Sequence, residues 1–156
     1  MTSFTGWLAQ TSLSLAIQTH EWVIPTIQSI HIVAISIALV SVFMIGFRVL
    51  GWTGSDQTLA ETTARFWPWL AGSLAVLLVT GALMVVGEPA RELLAFSFWL
   101  KMSLVVVGTA LTWRMGRSSI KPLTVVTLLI WISIIFLGRL IAYDHIWGSW
   151  SMSPKA

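Results

Sequence analysis

Cysteine is absent from the chain, which excludes disulfides, thiolate metal sites and a cysteine nucleophile. Charge is almost as scarce: nine Lys/Arg and six Asp/Glu make up 10% of the residues, where soluble domains carry about 25%. So few charges cannot clothe a water-facing surface, and a soluble globular domain is excluded. The basic residues are dispersed and form no patch, which argues against a nucleic-acid partner. Three histidines, His20, His31 and His145, are far apart in sequence and show no tight metal-ligand spacing. The opening stretch MTSFTGWLAQTSLSLAIQTHEW has neither the basic n-region nor the small-residue cleavage motif of a signal peptide, and is expected to stay on the mature protein. Low-complexity segments and a convincing internal repeat are also missing.

What fills the chain is apolar. Hydrophobic residues reach 56% and the mean hydropathy is +0.86. Four runs, 23–47, 66–87, 94–116 and 122–143, each supply the roughly 20 apolar residues that span a bilayer. The expected fold is therefore all-α, a polytopic bundle of four transmembrane helices in contact with lipid. GWTGSDQ, GEPARE and GRSSIKP separate the runs, each rich in turn formers or charge. Pro25, Pro68 and Pro122 are placed in the first turns of their helices, where a missing N–H costs little. Residues 6–21 carry Leu8, Leu13, Leu15, Ala16 and Ile17 on one arc and Gln10, Ser14, Gln18 and Glu21 on the other, which predicts an amphipathic interfacial helix. This divides the chain into an N-terminal segment 1–22, a membrane domain 23–147 and a tail 148–156. Ten Trp against one Tyr should mark the membrane edges, since an indole has an apolar body and one donor. Arg48, Arg65, Arg114, Arg117 and Lys121 flank the first and third breaks, against Arg91 and Lys155 on the other side. The positive-inside bias then puts both termini outside the cytoplasm.

Three ionisable residues fall within the runs: His31, Lys101 and Arg139. Facing lipid, each would cost several kcal/mol, so they are expected to point into the bundle or a wet cavity. At about 1.5 Å per residue, His31 lies roughly 12 Å and Lys101 about 10 Å below the outer surface, with Arg139 one turn from the outer end. A shared level permits a shared site. Gln28, His31, Ala34, Ala38 and Ser41 lie on one face of the first run, and Ser97, Lys101, Gly108 and Thr112 on one face of the third. The second run offers Gly72, Ala75, Thr80 and Gly81 as small residues that permit close packing or leave room for a flat ligand. The fourth offers Gly138, and Tyr143 shares the face of Arg139. His20, Glu21, Glu88, Asp144 and His145 wait just outside.

Several chemistries suit such a set. An imidazole can ligate haem iron while cations hold the propionates, but a bis-histidine b-type haem would need His20 or His145 to reach inward, or a second protomer. A quinone needs less: one or two donors, such as His31 and Lys101, with Gln28, Arg139 and Tyr143 at hand in an apolar slot. Copper could draw on His20, His31 and His145, with Met102, in a copper- or small-solute-transport protein, and ranks below the other two. The bland reading is a buried ionic latch, Arg139 with Asp144 or Glu88 and Lys101 with Glu21 or Glu88, in a structural or assembly subunit of a membrane complex. Small-residue faces also suit a homo-oligomer. A hydrolase finds no support, because no Ser/His/acid or paired-carboxylate set stands out.

The stretches IQSIHIVAISIALVSVFMIGFRVLG, FWPWLAGSLAVLLVTGALM, FSFWLKMSLVVVGTAL and GRLIAYDH resemble a bacterial family of small four-helix inner-membrane proteins of unknown function. The resemblance covers about residues 20 to 145. It implies the four-helix architecture and a place in the bacterial inner membrane, and draws attention to His31, Lys101 and Arg139. The chain is more loosely similar to membrane domains of the copper-resistance protein D type, which also carry His in outer-leaflet helices.

Overall fold

The computed structural model describes residues 2–54 and 56–142, with the side chains of residues 2 and 139–142 excepted. The described chain is all helix and turn: α1 (Thr2–Ala9), α2 (Ser12–Thr19), α3 (Val23–Leu50), α4 (Leu59–Gly87), α5 (Pro89–Leu93), α6 (Phe96–Met115) and α7 (Lys121–Ala142). Four of these, α3, α4, α6 and α7, are long and apolar enough to cross a bilayer, and the protein is a multi-pass membrane protein with the expected four-span architecture. Only helices can do this without a closed barrel, because every backbone polar group must be satisfied inside its own segment.

Two antiparallel hairpins make the bundle. α3 packs along α4, α6 packs along α7, and α3 then joins them by packing on α7 and, to a smaller extent, α6. The core is concentrated toward the end that carries the 51–58 loop and the 116–120 turn, the loop end. There Val42, Ile45 and Val49 of α3 meet Leu70 of α4, Met115 of α6, and Leu128 and Trp131 of α7. The hairpins touch where α3 has no side chain: a Cβ on Gly46 would come within 3.0 Å of the Leu128 Cδ2. At the opposite end, the α5 end, α1 and α2 lie against α5 and α4.

Local chemistry explains where the long helices stop and start. α3 runs on to Leu50 because Gly51, at φ 81°, closes it: Gly51 N–H donates to Arg48 O and Trp52 N–H to Phe47 O, the Schellman pair that satisfies terminal carbonyls. α4 begins at Leu59, two turns ahead of the apolar run expected at 66, because Thr58 and Glu61 form a capping box. The Glu61 N–H donates to Thr58 Oγ1 at 3.2 Å while Thr58 N–H donates back to the Glu61 carboxylate at 2.7 Å. Pro68 consequently sits inside α4, not in its first turn as expected, whereas Pro25 and Pro122 are near the starts of α3 and α7. GEPARE is not a plain break either, since Pro89–Leu93 forms the short helix α5, its carbonyl end taking the Trp99 indole N–H at Leu93 O.

The N-terminal segment departs most from expectation. The single helix foreseen over 6–21 is two, broken at Gln10 and restarted by the Thr11 side chain, which accepts from Ser14 N–H, and Glu21 lies in the turn before α3. Its buried and exposed arcs are partly exchanged. Ser14, assigned to the polar arc, is buried and donates to Val86 O at 2.7 Å, while Leu13 and Leu15 are 54% and 50% exposed. Ile17 is buried against Gly87, whose missing Cβ would meet Ile17 Cγ2 at 3.0 Å. Next to lipid, an exposed leucine is in a good solvent and a serine is the group that needs a protein partner.

Small residues sort in the same way. Ala34, Ala38, Ser41, Gly108 and Thr112 are buried as foreseen, but Gly72 and Ala75 lie on the exposed side of α4. Gly72 has open space around the position of a Cβ and borders an apolar groove of about 580 Å³ between α3 and α4, with Val33, Ile37, Trp69 and Val76. Gly72→Ala should therefore stabilise α4 by up to about 1 kcal/mol through helix propensity alone, read as a rightward shift in detergent–SDS unfolding; a loss of stability would mean that the groove is occupied. Of the eight described Trp, Trp7, Trp22, Trp52, Trp69, Trp99 and Trp113 are exposed and Trp67 and Trp131 are not, so most of the aromatic load is on the surface.

Candidate functional site

His31 and Lys101 come to the same level of the bundle. Counted at about 1.5 Å per residue, His31 is roughly 12 Å along α3 from Val23, and Lys101 about 8 Å along α6 from Phe96. Thr80 of α4 is at matching height, about 10 Å from Gly87, and supplies the contact that defines the site. His31 Nδ1 is 2.7 Å from Thr80 Oγ1. The Thr80 hydroxyl proton is already committed to Val76 O at 2.7 Å. Its oxygen must therefore accept, so Nδ1 carries the proton and donates. The opposite ring nitrogen, Nε2, is left with its lone pair for another group.

The neighbourhood is close-fitting on one side and charged on the other. Gly81 lies beside the imidazole, a Cβ there standing 3.8 Å from His31 Cε1. Lys101 is half-buried, and its ammonium rests over the Phe98 ring, 5.5 Å from the centroid, a cation–π contact that partly replaces lost water. That ammonium is within electrostatic reach of the His31 ring and of the Glu92 carboxylate of α5. Glu92 is 8% exposed and was not among the residues singled out from the sequence. Ser97, on the Lys101 face of α6, is buried as foreseen.

The latch pairs foreseen for this end take another form. Among the described residues the one ion pair joins Arg91 to Glu88 within the α5 turn, so Glu88 does not serve Lys101. Glu21 is exposed and makes no ion pair with Lys101 either. Gln28 is half-buried one turn before His31 on the same helix. Arg139 lies in the last turn of α7, but its side chain, together with Tyr143, Asp144 and His145, lies outside the described residues.

The three-histidine copper set is not assembled by what is described. His20 is exposed at the end of α2, its Nδ1 3.0 Å from Ala16 O and its ring edge-on to Trp22, eleven positions before His31. Among the described residues no group of three His, Asp or Glu side chains is placed to hold a metal ion. What the arrangement offers chemically is an acceptor and a donor: the His31 Nε2 lone pair and the Lys101 ammonium, on neighbouring helices and at one depth. No family model matches the chain, and no curated protein or solved structure matches it.

Proposed function

We propose that the protein is a membrane cofactor-binding protein whose ligand is a quinone, held at the α5 end by His31 and Lys101. The observation that carries this is the His31–Thr80 hydrogen bond, which fixes the ring and leaves Nε2 free for a ligand. A quinone head is a flat apolar ring with two carbonyl oxygens; Lys101 donates to one of them, and Nε2 accepts the proton of the reduced, hydroxyl form. We assign the ring to the side of the imidazole at Gly81, and the isoprenoid tail to the surrounding lipid. Neighbouring Glu92 balances the Lys101 charge when no ligand is there. Haem suits the residues less well: a fixed Nδ1–H with an open Nε2 is also what an axial ligand needs, but His31 faces the tightly packed α3–α4 pair and His20 is too far along the chain to be its counterpart. We also place this end at the periplasmic face of a bacterial inner membrane, because Arg48, Arg65, Arg114, Arg117 and Lys121 gather at the other. The family of small four-helix inner-membrane proteins belongs to the same proposal and rests on the stretches quoted above.

The test is quinone content and the visible spectrum of protein extracted in mild detergent, for wild type, His31→Ala and Lys101→Ala. Wild type should retain quinone well above an empty-micelle control, and each variant should lose about tenfold, the effect of one charge-assisted hydrogen bond. Quinone no higher than the control overturns the reading. A Soret band lost in His31→Ala would assign haem instead. A colourless, quinone-free protein that is destabilised by His31→Ala would leave the packing role, with His31–Thr80 as a fastener between α3 and α4 in an assembly subunit.

A further inference from the structure

At the loop end, far from His31, two arginines face one pocket. A cavity of about 190 Å³ lies between the last turn of α3 and the first turns of α4, lined by Arg48, Arg65, Thr53, Thr62, Met44 and Phe66 among others. We propose that this pocket binds the phosphate group of an anionic phospholipid, with Arg48 and Arg65 as the paired cations.

Three features make this a built site and not merely a charged rim. First, Arg48 is held in place. Its Nε–H donates to Gln57 O at 2.6 Å, and Gly54, at φ 69°, clears its stem, a Cβ there coming within 3.2 Å of Arg48 Cδ. The loop thus spends one donor to aim the fork, and the terminal guanidinium nitrogens make no further hydrogen bond among the described residues. Second, the carboxylate that should neutralise Arg65 is engaged elsewhere. Glu61 stands four residues before Arg65, the favourable spacing for a helical ion pair, yet its carboxylate closes the capping box on Thr58 N–H and Oγ1. Among the described residues the sole ion pair lies at the α5 end, so both arginines are without a described carboxylate within 4 Å. Third, the pocket is amphipathic in the right sense. Met44 and Phe66 belong to the apolar body of the bundle, whereas Thr53 and Gln57 belong to the loop, so the cavity lies where the apolar spans give way to the polar loop. Arginine forks match phosphate oxygens in planar, two-point geometry.

The experiment is native mass spectrometry of the detergent-solubilised full chain with phosphatidylglycerol or phosphatidylcholine of identical acyl chains. At about fivefold per arginine close to an anionic headgroup, wild type should favour phosphatidylglycerol by more than tenfold. Arg48→Gln with Arg65→Gln should bring that preference close to one, and Arg114→Gln with Lys121→Gln, cations of the same face outside the pocket, should leave it unchanged. Should the double pocket variant fail to fold, Arg65→Gln alone, an exposed side chain that holds no backbone group, should lose about fivefold. Equal binding of the two lipids by wild type overturns the proposal, as does an equal loss in the Arg114/Lys121 variant. Competition by millimolar sodium phosphate as effective as by the lipid would overturn the lipid as source and assign a soluble phosphate compound.

Discussion

Trp131→Ala is expected to lower the free energy of unfolding in mixed detergent–SDS micelles by about 3 kcal/mol, the low end for a buried tryptophan. Trp131 is 3% exposed and belongs to the core. Its ring fills a notch made by a glycine, since a Cβ on Gly108 would stand 3.3 Å from Trp131 Nε1. The indole N–H donates to Thr112 Oγ1 at 3.0 Å, and Thr112 passes its own proton to Gly108 O at 2.7 Å. Every polar atom of the notch is satisfied. In a membrane the transfer from water is largely absent from the loss, because the separated helices stay in an apolar medium. What remains is the cavity and its lost dispersion contacts, which is why the low end applies. Trp131→Phe separates the two parts: it keeps most of the ring and removes the hydrogen bond, and should cost about 1 kcal/mol. If Trp131→Ala costs no more than Trp131→Phe, the ring is not packed as described.

Gly46→Leu should be comparable, at about 3 kcal/mol, by the opposite mechanism. Gly46 is buried where α3 meets α7, with Leu128 Cδ2 and Cδ1 at 3.0 and 3.3 Å from the position of a Cβ. The tip of Leu128 can give way for a single methyl, and alanine's better helix propensity offsets that strain, so Gly46→Ala should be nearly neutral. Four extra carbons cannot be absorbed in a filled core and must push the hairpins apart. Gly138→Leu is the control, because nothing lies within 4 Å of a Cβ there; it should cause no loss and gain up to about 1 kcal/mol through helix propensity. A large loss in the control, or none at Gly46, would show that α3 and α7 do not meet through this glycine.

The four spans were legible because a bilayer imposes a length, and an uninterrupted run of about 20 apolar residues seldom occurs outside one. Their ends were less so. Gly51 and the Thr58–Glu61 box decide where α3 stops and α4 starts by satisfying backbone groups, and a count of apolar residues passes over both. The amphipathic reading of 6–21 failed at Ser14 because it assumed water outside and grease inside. Around a membrane protein that assumption reverses, and Ser14, Ser41, Thr112, Thr124 and Thr127, all buried, occupy the inside as small groups with backbone partners. His31 and Lys101 could be brought to one level by rise per residue alone. Thr80 as the partner of His31 depends on the register between two helices, which no single-helix pattern contains. Glu92 was hidden because GEPARE reads as a turn; Pro89 at the head of a helix, with an acid three residues on, was the signal that could have revealed it.

The helices also differ in length: α3 and α4 have 28 and 29 residues, α6 and α7 have 20 and 22. With His31 and Lys101 level, α3 continues about 28 Å to Leu50 while α6 continues about 21 Å to Met115. About 7 Å of that difference emerges at the loop end, and the Thr63 contact to Gly116, a turn inside α4, is where the shorter pair runs out. The surplus of α4 is its first two turns, which carry Glu61 and Arg65, so it is a charged collar beyond the hydrocarbon and not extra apolar length, and the four apolar runs suit a single bilayer thickness.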